Sequence, residues 1–211
     1  MSDGVYASLN LTRGTGDDAG KVEENRRRAC EALDLSYDRL AFNRQVHSPT
    51  VHRARPAGRG EPGDGLWSDE PLLPMLAMSA DCLPIAIART DGPRALAVLH
   101  AGWRGLAEGV VAAGVNALRV DSTQGLAAVV GPAIGPCCYE VGPEVSSLFA
   151  DDLTVEGRLD LWRAAERALR DAGVARVDRL DLCTRDHPEL FFSHRRDGLA
   201  RGVQGVIGAV A

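Results

Sequence analysis

The stretch from Ser79 to Leu106 constrains the fold of this chain more than any other. Two short apolar runs, Leu83–Ala88 and Ala95–Leu99, flank the polar segment Thr90–Pro93, which contains an Asp-Gly pair. Short apolar runs on either side of Asp-Gly are typical of a β-hairpin. The sequence therefore predicts two antiparallel strands joined by a turn near Asp91.

A turn at that point sets Cys82 opposite His100 at the open end of the hairpin. Opposed residues of an antiparallel pair have Cβ atoms about 4.5–5.5 Å apart, which suits two ligands of one metal ion. His47, at the end of a short predicted strand, is the candidate third ligand. Three protein ligands with one open position are typical of a catalytic zinc site. The spacing therefore predicts a catalytic metal centre formed by Cys82, His100 and His47.

The same two residues allow a second interpretation. A thiolate beside an imidazole is also the arrangement of a nucleophile and its base. Asp81 is a candidate to orient either group, although it would serve equally well as a turn residue. The sequence alone leaves both interpretations open.

The remaining segments indicate a mixture of helices and strands. Asp17-Asp18 can cap a helix that runs to about Leu33. Further helices are predicted over 106–120, 144–149 and 159–172, and strands over 5–11, 72–78, 126–130, 177–183 and 203–210. Hairpins outnumber clear strand–helix–strand units, which favours an α/β or α+β sandwich with mixed, largely antiparallel sheets. We expect residues 1–211 to form a single domain.

Composition excludes several classes of protein. The formal net charge of −5 argues against a nucleic-acid or membrane-surface role. No apolar run approaches the roughly 20 residues that span a bilayer. No signal peptide is visible, so a cytoplasmic location is expected. The five cysteines are odd in number, which predicts reduced thiols.

Several linked motifs occur in order along nearly the whole chain. They are Ser8-Leu9-Asn10-Leu11, Gln45-Val46-His47, Ala80-Asp81-Cys82-Leu83-Pro84, His100-Ala101-Gly102-Trp103-Arg104-Gly105, Gly131-Pro132-Ala133-Ile134-Gly135, Cys138-Tyr139-Glu140-Val141-Gly142, Cys183-Thr184 and Phe192-Ser193-His194-Arg195-Arg196-Asp197-Gly198. In this combination the chain resembles the laccase-domain (polyphenol oxidase-like, YfiH-type) purine nucleoside phosphorylases.

The resemblance implies a layered α-β-β-α sandwich and one Zn²⁺ held by His47, Cys82 and His100. It implies phosphorolysis of adenosine, inosine, guanosine and methylthioadenosine to the free base and ribose 1-phosphate, with adenosine deamination as a side activity. The partners are then purine nucleosides and phosphate, and the expected assembly is a monomer or small homo-oligomer.

Phosphate as a co-substrate requires an anion site. Arg104, Arg195 and Arg196 are candidates to bind it, because a guanidinium matches phosphate oxygens. Asn10, in one of the matching motifs, is a further candidate for substrate binding.

Two departures from the family pattern stand out. Family members carry about thirty more residues before Val5, so we expect Met1 to be an internal methionine or the gene start to be miscalled; the intact mass of the native protein would decide. The family's Gly-Arg pair near the end is reversed as Arg201-Gly202, which weakens any role assigned there.

Three rival functions remain at this stage. A multicopper oxidase needs many imidazoles, and five histidines are too few, although one Cu²⁺ could use the same three ligands. A cysteine amidase would use Cys82 and His100 as nucleophile and base. A non-catalytic, zinc-stabilised binding protein is the third.

Overall fold

The computed structural model describes residues 1–119 and 125–211. Its strands in chain order are β1 Ala41–Arg44, β2 Val51–Arg53, β3 Arg59–Pro62, β4 Gly65–Ser68, β5 Met75–Ser79, β6 Leu83–Arg89, β7 Ala95–Ala101, β8 Leu126–Val130, β9 Thr154–Val155, β10 Arg158–Leu159, β11 Arg176–Arg179 and β12 Gln204–Gly208. Its α-helices are α1 Ala19–Glu31, α2 Trp103–Glu108, α3 Val110–Leu118, α4 Pro143–Ser146, α5 Leu161–Asp171 and α6 His194–Asp197.

Two mixed sheets form the centre of the molecule. The six-stranded sheet has the order β11-β8-β6-β7-β4-β2, with antiparallel pairs in its middle and a parallel pair at each edge. The four-stranded sheet has the order β12-β5-β1-β3, in which β12 is antiparallel to β5 and the other pairs are parallel. Strands β9 and β10 form a separate short hairpin.

Three apolar cores separate four layers. Helices α2, α3 and α5 pack on one face of the six-stranded sheet, around residues such as Ile85, Leu99 and Val115. A second core, which includes Met75 and Val98, lies between the two sheets. The third core joins α1, through Cys30, to the outer face of the four-stranded sheet. The expected α-β-β-α sandwich is therefore confirmed.

The predicted hairpin is present, but its predicted register is wrong. The pairs are Leu83↔Ala101 and Pro84↔His100, so Cys82 does not stand opposite His100. The connection comprises residues 90–94 and is centred on Gly92, whose φ of +64° a glycine adopts without strain. The pairing is consequently shifted by two residues from one centred on Asp91.

Other predictions differ from the structure at element ends. The predicted helix over 106–120 begins earlier and is divided into α2 and α3 by Gly109, which has a φ of +91°; its predicted end at Val120 lies outside the described residues. The predicted strand over 5–11 is wrong, because Gly4–Tyr6 forms a 3-10 turn. Asp18 caps α1 as predicted, accepting from the Lys21 N–H. In the described part of the chain, no helix is long and apolar enough to cross a membrane.

Candidate metal centre

The side chains of His47, Cys82 and His100 converge at one end of the six-stranded sheet. One potential ligand atom from each lies within 4.8 Å of the other two. The Cys82 Sγ is 4.0 Å from the His47 Nε2, and the two imidazole rings meet edge to face with centroids 5.0 Å apart. One sulfur and two imidazole nitrogens are a donor set that suits Zn²⁺, so the residues present fit such an ion.

Each of the three side chains is positioned by a different element. His100 belongs to β7 and is 4% exposed. Cys82 follows the β5–β6 connection, where Asp81 has a φ of +87°, and His47 follows β1 with a φ of +61°. Non-glycine residues rarely adopt positive φ values, and such strained positions cluster at functional sites.

A buried carboxylate, that of Asp64, orients the His100 ring and holds the backbone of His47. Its Oδ1 accepts from the His100 Nδ1 at 2.8 Å and from the His47 backbone N–H at 3.0 Å. Its Oδ2 accepts from the backbone N–H groups of Val46 and Ser48 and from the Ser48 hydroxyl. Because Nδ1 of His100 is engaged by Asp64, its Nε2 is the ring nitrogen left for the cluster. Histidine ligands of metals are commonly oriented by a carboxylate in this way.

The electrostatics of the cluster favour a thiolate. Burial alone would raise the pKa of the Cys82 thiol, but the charges and hydrogen bonds of His100 and His47 lower it to about 6. Burial would lower the pKa of His100, but the Cys82 thiolate and Asp64 raise it to about 9. Burial would raise the pKa of Asp64, yet hydrogen bonds from His100 and from backbone N–H groups lower it to about 2. In the metal-free protein at neutral pH, Cys82 is therefore anionic and His100 cationic.

Gly102, which has no side chain, leaves room for the side chains of Cys82 and His47. A Cβ at this position would lie 3.0 Å from the Cys82 Sγ and 3.1 Å from the His47 Cδ2, closer than such contacts normally are. The register of the hairpin, extended by one pair, sets Cys82 beside Gly102. Cys82 and His100 are consequently diagonal neighbours on the same face of the sheet, rather than directly opposed.

Asp81 anchors the backbone next to Cys82 without entering the cluster. Its carboxylate accepts from the Thr184 hydroxyl at 2.6 Å and from the Arg195 backbone N–H at 2.7 Å. Its backbone carbonyl accepts from the Ile134 N–H at 2.9 Å. Asp81 therefore joins the strained turn before Cys82 to two distant loops.

The three clustered side chains line a cavity of about 520 Å³. This volume is within the range of small-molecule sites. Arg44, Arg201 and Ser79 line the same cavity. Among the described residues, neither the Ser79 hydroxyl nor the Arg201 Nε, both buried, has a hydrogen-bond partner. Buried polar groups are normally paired, so these two unpaired atoms in residues that line the cavity stand out.

The four residues expected to bind substrate or phosphate do not line this cavity. The Arg195 guanidinium donates to the Glu140 carbonyl, and Arg104 lies over the ring of Trp103. The Arg196 side chain donates to three backbone carbonyls and to a neighbouring carboxylate, while Asn10 is buried and donates to Asp17. Their roles in binding stay predictions.

Sequence reasoning missed or discounted four residues that lie at or near the cluster: Asp64, Gly102, Arg44 and Arg201. Asp64 lies in a stretch that resembled a plain loop, and Arg201 was discounted because its motif is reversed. Asp64 reaches the cluster because β4, which it precedes, pairs with the His100 strand as Gly65↔Leu99. That long-range pairing has no local sequence signal.

A family model described as multi-copper polyphenol oxidoreductase laccase matches residues 1–210. This chain belongs to that family. Membership agrees with the resemblance found in the sequence motifs.

Relatives and solved structures agree over most of the chain. A Pseudomonas aeruginosa protein named purine nucleoside phosphorylase is 39% identical over 208 residues, which cover 93% of this chain and 84% of the relative. Purine nucleoside phosphorylase YlmD of Geobacillus stearothermophilus is 36% identical over 234 residues, covering 97% and 83%. The crystal structure of the Bacillus licheniformis hypothetical protein YfiH superposes with a TM-score of 0.91 at 29% identity, covering 100% of this chain and 88% of its own.

Proposed function

We propose that this protein is a zinc-dependent purine nucleoside phosphorylase. It would convert adenosine, inosine, guanosine or methylthioadenosine, with phosphate, into the free base and ribose 1-phosphate. The observation that carries the proposal is the convergence of His47, Cys82 and His100, oriented by Asp64, on the wall of a nucleoside-sized cavity. The names of the relatives support the reaction class.

The metal would be held by His47, Cys82 and His100. When bound, it supplies a Lewis acid that polarises an oxygen or stabilises negative charge. Asp64 holds the His100 imidazole and the backbone of His47 in place, and its negative charge compensates the positive charge of the centre. The predicted alternative is that Cu²⁺ takes the place of Zn²⁺ and is held by the same three ligands.

The anion would be bound by cationic side chains of the cavity. Phosphorolysis breaks the glycosidic bond and forms a bond from a phosphate oxygen to the ribosyl C1, through a transition state with positive charge on the sugar. A fixed phosphate stabilises that charge and supplies the nucleophile. Arg44 and Arg201 line the cavity and suit this task. The Ser79 hydroxyl is a candidate hydrogen-bond partner for the nucleoside.

The test combines metal analysis with turnover. Wild-type protein should carry zinc and release hypoxanthine from inosine only when phosphate is present. Cys82→Ala should lose both zinc at this centre and phosphorolysis. His47→Ala should lose both as well, and His187→Ala is its matched control, because the His187 side chain is 40% exposed and pairs with Glu189. Full turnover by metal-free protein would contradict the proposal.

One observation favours a second candidate, a cysteine hydrolase. Asp64, His100 and Cys82 form an orienting group, a base and a thiol of lowered pKa, the arrangement of an activated nucleophile. Iodoacetamide separates the two functions. A phosphorylase centre predicts that zinc protects Cys82 from alkylation, whereas a nucleophilic Cys82 would be alkylated equally fast with zinc bound.

Three further properties stay predictions: adenosine deamination, the assembly as a monomer or small homo-oligomer, and the preference among the nucleosides. Deamination is measured as inosine formed from adenosine without phosphate. Oxidation of a phenolic dye only after copper loading would indicate the polyphenol oxidase activity that the family description names.

A further inference from the structure

A second cluster of potential metal ligands lies apart from the three residues discussed above. Cys137, Cys138, Cys183 and Asp186 each offer one ligand atom, and all four atoms lie within 4.8 Å of one another. The Cys137 and Cys138 Sγ atoms are each 3.1 Å from the Asp186 carboxylate. None of the three thiols forms a disulfide bond.

Backbone geometry brings the four side chains together from two loops. Gly135 begins a turn in which the N–H groups of Cys138 and Tyr139 both donate to its carbonyl. Cys183 is joined to this loop by a bridge with Ala133 and accepts from the Gly135 N–H at 3.3 Å. A Cβ at Gly135 would lie 3.2 Å from the Cys137 Sγ, so this position is tightly packed against the thiol.

The cluster is rich in negative charge when its thiols ionise. Burial and hydrogen bonding with Asp186 both raise the pKa of the Cys137 and Cys138 thiols. Arg185 is the cationic side chain that acts on Asp186. Without a cation, the Cys137 and Cys138 thiols keep their protons and donate them to the Asp186 carboxylate; a divalent ion among the four ligand atoms would take the place of these protons.

We propose that Cys137, Cys138, Cys183 and Asp186 form a second, structural site for a thiophilic divalent cation such as Zn²⁺. Three sulfurs and one carboxylate oxygen complete a four-ligand set, and four protein ligands are typical of structural rather than catalytic zinc. Each thiol that binds the cation releases its proton to solvent, and no redox step is involved. Cys137 is exposed and offers a path of entry.

The position of this site gives it a consequence for the first centre. Ile134, three residues before Cys137, donates its N–H to the Asp81 carbonyl, and Thr184, next to Cys183, donates its hydroxyl to the Asp81 carboxylate. A cation that fixes both loops therefore fixes the turn that holds Cys82. The second ion would support the first centre without touching its cavity.

Metal stoichiometry of the full-length protein tests the proposal. Wild-type protein, loaded with Zn²⁺ and desalted, should carry about two equivalents, since each four-ligand or three-ligand site holds one ion. Cys137→Ser and Cys82→Ala should each carry about one, and the double variant should carry none. Cys30→Ala is the matched control, because Cys30 is buried within α1 and outside both clusters; it should retain both ions. If the first centre alone loses its ion, the zinc at the second site can still be measured. The proposed function and the proposed structural site can therefore be refuted independently.

A measurement on unmodified protein keeps the test independent of how well the variants fold. Zinc-loaded and chelator-treated wild-type protein are alkylated with iodoacetamide, and the modified peptides are quantified by mass spectrometry. Bound Zn²⁺ should slow modification of Cys137 at least about tenfold, because a metal-bound thiolate is a poor nucleophile. Three results would each overturn the proposal. The first is an equal rate of Cys137 modification with and without Zn²⁺, and the second is a single zinc in the wild-type protein that Cys82→Ala loses and Cys137→Ser keeps. The third is a disulfide bond within the cluster.

Discussion

Replacement of Asp64 by Asn removes one carboxylate oxygen and tests the orienting role of this residue. The two oxygens accept five hydrogen bonds, from the N–H groups of Val46, His47 and Ser48, the Ser48 hydroxyl and the His100 Nδ1. In either orientation, the amide NH₂ of Asn faces at least two of these donors. Each unsatisfied buried donor costs about 1–3 kcal/mol, so two of them in Asp64→Asn should lower the free energy of unfolding by about 2–6 kcal/mol.

The pH dependence gives a second estimate of the same effect. The pKa of Asp64 falls from 3.8 to about 2 on folding. A shift of that size corresponds to about 2 kcal/mol of stability, present above pH 4 and lost as the pH falls through 2. Protonated Asp64, like Asn, lacks one acceptor. The difference in stability between wild type and Asp64→Asn should therefore narrow as the pH falls below 4.

Two assays check these values. Urea unfolding of the metal-free proteins measures the stability difference. Competition with a chelator measures zinc affinity, which should fall about 10–100-fold when the His100 imidazole loses its carboxylate. Asp69→Asn is the matched control, because the Asp69 side chain is 43% exposed and pairs with Arg53 at the surface; it should cost at most about 1 kcal/mol. Unchanged stability and zinc affinity in Asp64→Asn would refute the assigned role.

Three further predictions concern the same centre. Gly102→Ala brings a methyl group to 3.0 Å from the Cys82 Sγ and should weaken zinc binding while the fold persists; unchanged affinity would contradict the packing argument. In metal-free protein the Cys82–His100 pair should leave the stability nearly independent of pH between about pH 6.5 and pH 9. The Cys82 contribution, from a pKa lowered from 9.0 to about 6, is complete above pH 9 and decreases as the pH falls to 6, whereas that of His100, from a pKa raised from 6.5 to about 9, is complete below pH 6.5 and decreases as the pH rises to 9, so the two trends offset each other. Melting temperatures across this range are the check, and a pronounced maximum within it that Cys82→Ala lacks would contradict this assignment. Arg201→Ala should raise the KM for phosphate about tenfold, as expected for one charge-assisted contact, whereas Arg104→Ala should not; the reverse order would favour the anion site predicted from the sequence.

Local sequence signals were sufficient for most elements of this fold. Strands β6 and β7 follow from their apolar runs, and α5 lies within the helix predicted over 159–172. The order of the strands within the sheets could not be obtained in this way. The pairing of β4 with β7, which brings Asp64 to His100, joins segments that are more than thirty residues apart and depends on the packing of the whole molecule.

The predicted convergence of Cys82 and His100 survived an error in the register, and the reason is geometric. Alternate residues of a strand point to the same face, so a pairing shift of two residues leaves every side chain on its original face. Centring the turn on Gly92 instead of Asp91 therefore changed the partner of His100 from Cys82 to Pro84 but kept Cys82 and His100 on one face as diagonal neighbours. A shift of one residue would have turned one of them into the opposite layer. The faces of residues near a hairpin are thus predicted more robustly than their exact partners, and a cluster of diagonal neighbours can be predicted from sequence when the register cannot.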